Sequence, residues 1–372
     1  MKTPICDMLG IEIPLLAFSH CRDVVAAVTN AGGFGVLGVA ASDPDHLHRE
    51  LTWIDEQVGG KPYGADVLVP NKFEGKGQRL SRAELESRVP AEHRAYVAEL
   101  LREHGIDAEA DGTLGRPLIR EDIGDKQLDV AFSHPIKLIA NGLGVPPTAM
   151  LDQAHALDIP VAALVGTKEH AVEQVKAGVD IIVAQGTEAG GHTGQIATMV
   201  LVPEVVAAVA AIRPVPVLAA GGIVTGKQMA ASVCLGAAGA WTGSVWLTTE
   251  EAETAPATVA KMLTASSRDT TRSTGRTGKP ARQLVSDWTR AWEPGVGPGS
   301  LPMPLQTMLA ESPLHRIDAL AEAGHEGAKQ LATYFVGQGV GLMTKVRPAR
   351  EVVYDFAVDY LDAIARLVNT QD

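Results

Sequence analysis

A repeat of short apolar segments, each followed by a segment with helical periodicity, constrains the fold more than any other feature of the chain. Short apolar runs bounded by turn residues are typical of buried strands. The pattern predicts eight such strands, at residues 13–18, 34–37, 63–69, 136–140, 160–165, 179–183, 215–220 and 238–242. Strands that alternate with helices pair in parallel, and eight of these units predict an α/β protein with a closed (β/α)8 TIM barrel. A doubly wound open sheet is the alternative interpretation.

Residues 71–129 separate the third and fourth predicted strands and are too long for an ordinary barrel loop. A charged helical pattern covers residues 81–102, and residues 108–115 form an acidic, turn-rich stretch. We therefore predict an insertion after the third strand, on the ligand-facing end of the barrel. There it would serve as a lid or as a contact to another subunit.

The chain after residue 248 is predicted to be mostly helical. Residues 266–304, rich in glycine, proline and arginine, are predicted as a loop, and residues 351–367 have the spacing of an amphipathic helix. The pattern predicts two regions in the 372-residue chain. Residues 1–247 would form a cofactor-binding barrel that contains the insertion, and residues 248–372 a helical substrate or lid region packing on it.

The charge balance and the cysteine content exclude several classes of partner. With 32 lysines and arginines against 44 aspartates and glutamates, the formal net charge of −12 disfavours a nucleic acid or an anionic membrane. The three cysteines are far apart, which indicates a reducing compartment and neither a disulfide framework nor a zinc site, so no metal is predicted. No apolar run reaches the ~20 residues of a membrane helix. We expect a cytoplasmic protein with no membrane partner.

The segment after the sixth predicted strand combines glycines with titratable side chains. Four glycines fall within residues 186–194, together with Glu188 and His192. Glycine lets the backbone approach a ligand closely, and α/β barrels carry their chemistry on the loops that follow the strands. We therefore predict that this loop belongs to an active site; a surface turn is the alternative.

Two further glycine loops follow the seventh and eighth predicted strands, and they contain Gly221, Gly222, Gly243 and Ser244. The loops after these two strands of a TIM barrel commonly bind phosphate through backbone N–H groups. The alternative is that the glycines serve only helix-on-strand packing. Gly221 also begins a stretch similar to a P-loop, but Gln228 stands where Ser or Thr would bind Mg²⁺, which excludes nucleotide hydrolysis. A phosphate-bearing cofactor is the favoured interpretation.

These motifs together resemble the nitronate monooxygenase family of FMN-dependent barrels. The resemblance runs through residues 30–35, 179–194, 219–223, 236–251, 337–341 and 347–349. It implies FMN as cofactor, a small-molecule substrate and O₂ as oxidant. The Glu-Ala-Gly-Gly-His element at residues 188–192 is shared with FMN-dependent enoyl-thioester reductases, which are close relatives of the family.

The resemblance also implies which residues would contact FMN. The phosphate would lie on the glycine loops, and the first and sixth strands would run along the isoalloxazine ring. The implied residues are Ala17, Phe18, Ser19, Gln185, Gly190, Gly191, Gly221, Gly222, Gly243 and Ser244. Asp66 stands where the family usually has an Asn facing the flavin. A carboxylate there would disfavour an anionic reduced flavin unless it were protonated.

A second departure concerns the catalytic base. Family members have a catalytic His at the end of the fourth strand, and that position falls on Gly142, next to Asn141. A nitronate is already an anion, whereas a neutral nitroalkane must lose a proton from carbon. His192 could replace the base or anchor an anion, or it could only shape its loop. His20 could contact substrate, or it could only begin a helix.

Three functions follow from these observations. The first is FMN-dependent oxidation of alkyl nitronates, or a similar carbon acid, with O₂, in which His192, His20 and Asn141 are the candidate catalytic residues. The alternative is an enoyl- or acyl-CoA thioester oxidoreductase. The basic residues of the loop at 266–304 could then bind the phosphates of the substrate, or the loop could be flexible and solvated. These basic residues are Arg268, Arg272, Arg276, Lys279 and Arg282. The third is a non-catalytic ligand-binding barrel. A homodimer is left open.

Overall fold

Eight parallel strands close into a barrel in the computed structural model, which describes residues 1–39, 43–68, 82–107, 121–142 and 144–369. The predicted TIM barrel is confirmed. The strands in chain order are β1 (Leu15–Ser19), β2 (Phe34–Gly38), β3 (Gly64–Val67), β4 (Ile139–Asn141), β5 (Val161–Val165), β6 (Ile181–Gln185), β7 (Gly191–His192), β8 (Val217–Ala220), β9 (Gly239–Thr242), β10 (Thr270–Ser273) and β11 (Ala281–Leu284). The barrel order is β1-β2-β3-β4-β5-β6-β8-β9, and β10, β11 and β7 form a small separate sheet.

The barrel strands are buried on both faces, which explains their continuous apolar sequences. Alternate residues of a strand point to opposite faces. One set fills the barrel interior: Leu16, Phe34, Val36, Ala140, Ala162, Ile181, Val183, Leu218, Ala220 and Trp241. The other set packs under the surrounding helices: Leu15, Ala17, Leu37, Ala65, Val67, Ile139, Val161, Ala163, Ile182, Ala184, Val217, Ala219 and Ala240. Ile5 and Leu9 of the first helix join the interior set and close the amino-terminal end of the barrel.

The helices surround the barrel and build a region beside it. They are α1 (Pro4–Leu9), α2 (Arg22–Asn30), α3 (Pro44–Val58), α4 (Arg82–Ser87), α5 (Ala91–Glu103), α6 (Glu121–Phe132), α7 (Thr148–Ala156), α8 (Lys168–Ala177), α9 (Thr198–Ala210), α10 (Gly226–Cys234), α11 (Pro256–Thr264), α12 (Asp287–Arg290), α13 (Leu305–Glu322), α14 (Glu326–Leu331) and α15 (Ala349–Asn369). Two short 3₁₀ helices cover Ser244–Thr248 and Gln338–Leu342. Within the described residues, none of the helices has the length and apolar character needed to cross a membrane.

The final helix, α15, packs against α10 and α2, the helices that follow β8 and β1. It therefore fills the eighth place in the ring of helices around the barrel. The predicted amphipathic helix at residues 351–367 lies within α15. The outer layer of the barrel thus draws on residues 349–369 as well as on residues 1–247, and the predicted division of the chain into two regions stays a prediction.

The inserted segment has two parts with different neighbours. Helix α6 packs on α3 and β3, so it is the crossover helix between β3 and β4. The single charged helix predicted for residues 81–102 is wrong, because the chain forms two helices, α4 and α5, separated at Pro90. Proline disfavours helical conformation in the preceding residue and cannot donate a helical hydrogen bond, so the break falls there. The acidic stretch predicted at residues 108–115 lies outside the described residues.

The inserted segment and the tail, which is the part of the chain after residue 248, share a second hydrophobic core beside the barrel. Its members from the inserted segment are Val89, Val97, Leu100, Leu101 and Ile106, and those from the tail include Trp288, Trp292, Leu309, Leu314 and Ile317. The Tyr96 hydroxyl donates to the Ala291 carbonyl at 2.7 Å, and its ring meets Trp292 edge-on at 5.5 Å. Two segments far apart in sequence therefore stabilise each other.

The loop predicted at residues 266–304 is wrong, because β10, β11 and α12 lie within it. β10 and β11 pair antiparallel, and β11 pairs in turn with β7, with Ala281 opposite His192. The strand sequences Thr-Thr-Arg-Ser and Ala-Arg-Gln-Leu are mostly polar, so they carry no apolar alternation that would reveal them. Their partner in the sheet is the glycine-rich loop after β6.

The shared core predicts a regional effect for Trp288→Ala. Trp288 is fully buried, and truncation of a buried Trp costs about 3–5 kcal/mol. We expect amide hydrogen exchange to accelerate in α5 and α13, with little change in α7 and α8 of the barrel. Tyr354→Ala, at a side chain that is 68% exposed on α15, is the control and should leave exchange unaltered. Unchanged protection of α5 in Trp288→Ala would contradict the shared core.

Candidate active site

The carboxyl ends of the barrel strands form a mouth with an aromatic floor. Phe18 at the end of β1 stacks near Trp241 of β9, with ring centroids 6.4 Å apart and an interplanar angle of 27°. His20 meets the edge of Phe18 at 5.1 Å. A flat apolar surface of this kind suits a planar ring system.

His20 is held at the mouth by the backbone of β2. Its Nδ1 lies 2.8 Å from the Gly38 carbonyl, and because a carbonyl only accepts hydrogen bonds, Nδ1 carries the proton. A Cβ on Gly38 would lie 2.6 Å from Phe18 Cζ and 2.8 Å from His20 Nδ1. Glycine at position 38 is therefore required for both rings to occupy the mouth.

Asp66 lies on the inner face of β3, opposite Gly38 of β2. Its side chain is buried, and its Oδ1 has no hydrogen-bond partner among the described residues. Burial raises the pKa of Asp66 to about 7, against a smaller lowering by the N–H of Gly142. A substantial protonated fraction at neutral pH follows, which relieves the conflict expected between a carboxylate and a reduced flavin.

The loop after β6 is shaped by Glu188. Its carboxylate accepts hydrogen bonds from the Thr198 amide at 2.9 Å and from the Thr198 hydroxyl at 2.8 Å. Negative charge at a helix amino terminus is favourable, so Glu188 ties this loop to the start of α9. Its hydrogen bonds serve the fold of the loop.

Residues 336–338 of the tail cross this loop in direct backbone contact with it. The Gln338 amide donates to the Glu188 carbonyl at 2.8 Å, and a Cβ on Gly337 would lie 2.5 Å from that same oxygen. A Cβ on Gly190 would lie 2.9 Å from the Val336 backbone. Glycine at position 190 is thus explained by this crossing, whereas the space beside Gly191 is open.

The loops after β8 and β9 have the properties of a phosphate cradle. Gly221 and Gly222 have φ values of 113° and 70°, which side-chain-bearing residues rarely adopt. Nothing lies within 4 Å of a Cβ placed on Gly243. Ser244 Oγ accepts a hydrogen bond from the Gly337 amide at 2.8 Å, so its own proton can be donated elsewhere. These residues fit a phosphate-bearing cofactor.

The sequence profile of the nitronate monooxygenase family matches residues 8–359. The chain belongs to this family. It is therefore an oxidoreductase of the monooxygenase type, and the family assignment supports a flavin cofactor.

Individual proteins of similar sequence or structure agree with this assignment. Rv1533 of Mycobacterium tuberculosis, which carries the provisional name of a monooxygenase, is 52% identical over 99% of this chain and 98% of its own. The solved structure of nitroalkane oxidase from Streptomyces ansochromogenes is 26% identical, with a TM-score of 0.78 over 98% of this chain and 99% of that one. A FabK variant from Thermotoga maritima shares the fold, with a TM-score of 0.71 and 23% identity over 100% of both chains.

Gly142, on which the resemblance predicts that the family's catalytic His would fall, faces Asp66. A Cβ on Gly142 would lie 3.6 Å and 3.8 Å from the two carboxyl oxygens of Asp66 and 3.1 Å from Leu68 Cδ2. Asn141 is fully buried and shares the outer face of β4 with Ile139. Its amide donates to the Gly144 carbonyl at 3.3 Å, which shapes the turn after β4. The structure thus brings Asp66 and Gly142 together at the mouth and directs the Asn141 side chain away from it.

His192 lies on β7, the edge strand beside β11 of the hairpin. Its Nδ1 lies 3.4 Å from the Pro280 carbonyl, and its ring centroid is 6.2 Å from that of Phe335. His192 is an exposed residue, but the neighbouring protein partly desolvates its imidazole, and this desolvation lowers the pKa of His192. The lowered pKa favours the neutral form of the ring, which can accept a proton.

Two arginines of the hairpin hold the glycine-rich loop in place. Arg282 Nε donates to the Thr187 carbonyl at 2.7 Å, and Arg272 Nη2 donates to the Thr193 carbonyl at 2.9 Å. Arg282 is buried, so the alternative of a flexible, solvated segment is wrong for this part of the tail. The sequence reveals neither this support nor the roles of Thr198 and Trp241, because these roles depend on contacts that form only in the folded chain.

The buried carboxyl of Asp66 predicts a specific pH dependence of stability. Its pKa is about 7 in the folded protein and about 3.9 in an unfolded chain. Because folding raises this pKa, the contribution to stability is fully present below about pH 4 and is lost as the pH rises to about 7. The loss is about 1.4 kcal/mol per pH unit within that window.

Asp66→Asn should remove this loss. We expect the free energy of unfolding of the variant, relative to the wild type, to rise by about 2–3 kcal/mol between pH 5 and pH 7, whatever constant offset the amide introduces. Urea unfolding of flavin-free protein across this range measures it. Asp152→Asn, at an exposed carboxyl of α7, is the control and should keep the wild-type profile. A constant difference between Asp66→Asn and wild type would show that Asp66 does not titrate in this window.

Proposed function

We propose that this chain is an FMN-dependent nitronate monooxygenase that oxidises alkyl nitronates, or a closely similar carbon acid, with O₂. The proposal rests above all on the open cradle at Gly243 and Ser244, which lies at the same mouth as Phe18 and Asp66 in a chain of this family. An open cradle beside a planar apolar floor suits a flavin mononucleotide, which has one terminal phosphate and one ring system.

The residues proposed to hold FMN divide into two sets. The phosphate would lie on Gly221, Gly222, Gly243 and Ser244, with Gly191 beside it. The ring would lie along Phe18, Ser19, Asp66 and Gln185. Ala17 packs under the outer helices and would contribute only its backbone. Gly190 would contribute indirectly, because it lets the tail cross the loop.

The side chains of the mouth account for substrate binding. Bound FMN supplies the electron acceptor for the substrate and the route of electrons to O₂. A nitronate is already an anion, so its oxidation requires orientation and shielding from water, with no proton to be removed from carbon. His20 and His192 would line the substrate side of the site, and each could donate a hydrogen bond to a nitronate oxygen only from a protonated Nε2, because its Nδ1 faces a backbone carbonyl. The hairpin of β10 and β11 would cover one side of the site.

The arginines of the tail give little support to the thioester alternative, because their side chains contact other parts of the protein. Arg272 and Arg282 donate to loop carbonyls and so are committed to the fold of the site. The Arg276 guanidinium lies over the Phe335 ring at 4.7 Å. The likeness to FabK is one of fold alone. Oxidation of nitronates is therefore the better-supported function, and the thioester reaction becomes an outcome of the test.

The direct test is a visible absorption spectrum of the purified protein, followed by anaerobic mixing with propyl-2-nitronate. We expect a flavin spectrum, release of FMN on denaturation, and bleaching by the nitronate that O₂ reverses. Flavin that ignores nitronate but responds to crotonyl-CoA would favour the thioester oxidoreductase. Protein that neither contains nor takes up FMN would support the non-catalytic barrel and overturn the proposal.

Gly243→Ala tests the phosphate cradle. The backbone at Gly243 has φ −131° and ψ −62°, which is not left-handed but lies outside the main α and β regions, and the new methyl group meets no protein atom within 4 Å. We therefore expect only a small loss of stability of the flavin-free protein and a loss of FMN affinity of at least about 10-fold, measured by fluorescence titration. Riboflavin, which has no phosphate, is the control ligand and should bind equally to both proteins. Equal FMN affinity would place the phosphate elsewhere.

Gly337→Ala tests the close backbone crossing, at a glycine where a methyl group has no room. Its Cβ would lie 2.5 Å from the Glu188 carbonyl oxygen, a backbone atom that cannot move freely. We expect this variant to destabilise the loop after β6 and to lower the melting temperature of the flavin-free protein, in contrast to Gly243→Ala. A melting temperature equal to that of the wild type would contradict the close backbone crossing.

A further inference from the structure

Asp66 is chemically unlike the other residues of the barrel strands. Among the residues of the eight barrel strands, all of which the structure describes, it alone is ionisable. Its inward-facing neighbours in the register are Gly38 on β2 and Ala140 on β4. Burial of a carboxyl group in such surroundings costs folding free energy unless the group is hydrogen-bonded. A protein that retains one there is a candidate for using it in function.

The carboxyl group lies next to the place that a side chain at position 142 would take, at van der Waals distance. The two Asp66 oxygens lie 3.6 Å and 3.8 Å from the place of a Cβ on Gly142, and β3 and β4 are adjacent in the barrel. An acid–base group on β3 can therefore serve the same pocket as one on β4. The free Oδ1 atom has no protein partner in the described part of the chain.

We propose that Asp66 is the proton-transfer group of this enzyme and that it replaces the histidine that the family carries at the position of Gly142. The proposal rests on the proposed function and extends its substrate class from nitronates to neutral nitroalkanes. The Asp66 carboxylate removes a proton from the carbon next to the nitro group. The C–H bond breaks, an O–H bond forms on Oδ1, and the electron pair stays on the substrate, which becomes the nitronate.

The surroundings of Asp66 suit this role. The N–H of Gly142 stabilises the ionised form, while burial opposes it, so both protonation states are accessible near neutral pH. His20, on the other side of Gly38, is the titratable group that approaches from β1. Leu68, Ala140 and Gly142, which approach from the loop after β3 and from β4, are uncharged.

The ratio of two activities separates proton transfer from a role in flavin binding alone. Nitroethane must lose a proton before oxidation, and ethyl nitronate need not. A base contributes about 10²–10⁴-fold to such a step. We expect Asp66→Asn to lower the ratio of nitroethane to ethyl nitronate turnover at least 100-fold, with a deuterium isotope effect on the wild-type nitroethane reaction. Gly243→Ala, which acts on both substrates through FMN occupancy, should preserve the ratio.

A rescue variant tests the proposed exchange of positions. Gly142 does not have a left-handed backbone, and the nearest atom to a new Cβ there is the flexible end of Leu68. We expect Asp66→Asn combined with Gly142→His to recover at least 10-fold of the lost nitroethane turnover. Its pH profile should follow an imidazole.

An infrared titration of the flavin-free wild type tests the acid without relying on activity. We expect a carbonyl stretch of a protonated carboxyl group that disappears as the pH rises through neutrality and is absent from Asp66→Asn. A wild type that oxidises ethyl nitronate but not nitroethane, or a variant with an unchanged ratio, would overturn this inference while leaving the proposed function intact. A wild type that oxidises neither substrate would overturn the proposed function itself.

Discussion

Burial of every barrel strand on both faces is the constraint on which the rest of this structure depends. The inner residues fill the barrel and the outer residues pack under helices, so almost every strand position must be apolar or small. Helix α1 closes one end of the interior, and polar chemistry is therefore confined to the opposite mouth. Asp66 lies at this mouth and is the one ionisable residue of the eight barrel strands, and its inward-facing neighbours Gly38 and Ala140 carry no charge that could neutralise it.

The mouth is built from parts of the chain that lie far apart in sequence. Glu188 caps α9, Gly337 crosses the loop that contains Glu188, and Ser244 accepts the amide of Gly337. The hairpin of β10 and β11 adds strands to this loop and fixes two of its carbonyls through arginine side chains. The segment between β9 and α15 is thus part of the site, and the aromatic core that it shares with the inserted segment supports it from outside.

Two departures implied by the resemblance to the family are neighbours in space. By that resemblance the family's catalytic histidine would fall on Gly142 and its flavin-facing asparagine on Asp66, and nothing in the sequence relates these two positions. The structure places the two positions side by side on adjacent strands. An ionisable group on β3 beside that position is what the proposed role of Asp66 in proton transfer requires.

The sequence by itself determined the barrel, the order of its strands and the three glycine-rich loops, because runs of apolar residues and glycine positions record local burial and local backbone conformation. The amphipathic spacing of residues 351–367 also predicted most of α15. Only the tertiary structure decided the pairing of β10 with β11, the hydrophobic core that the inserted segment shares with the tail, and the proximity of Asp66 to Gly142. The polar strand β11 is stabilised in part by backbone pairing with β7, which is distant in sequence, and α6 becomes a barrel helix only through its contacts with α3 and β3. Contacts between residues distant in sequence leave no periodic pattern in either segment, so they appear only when the chain is folded.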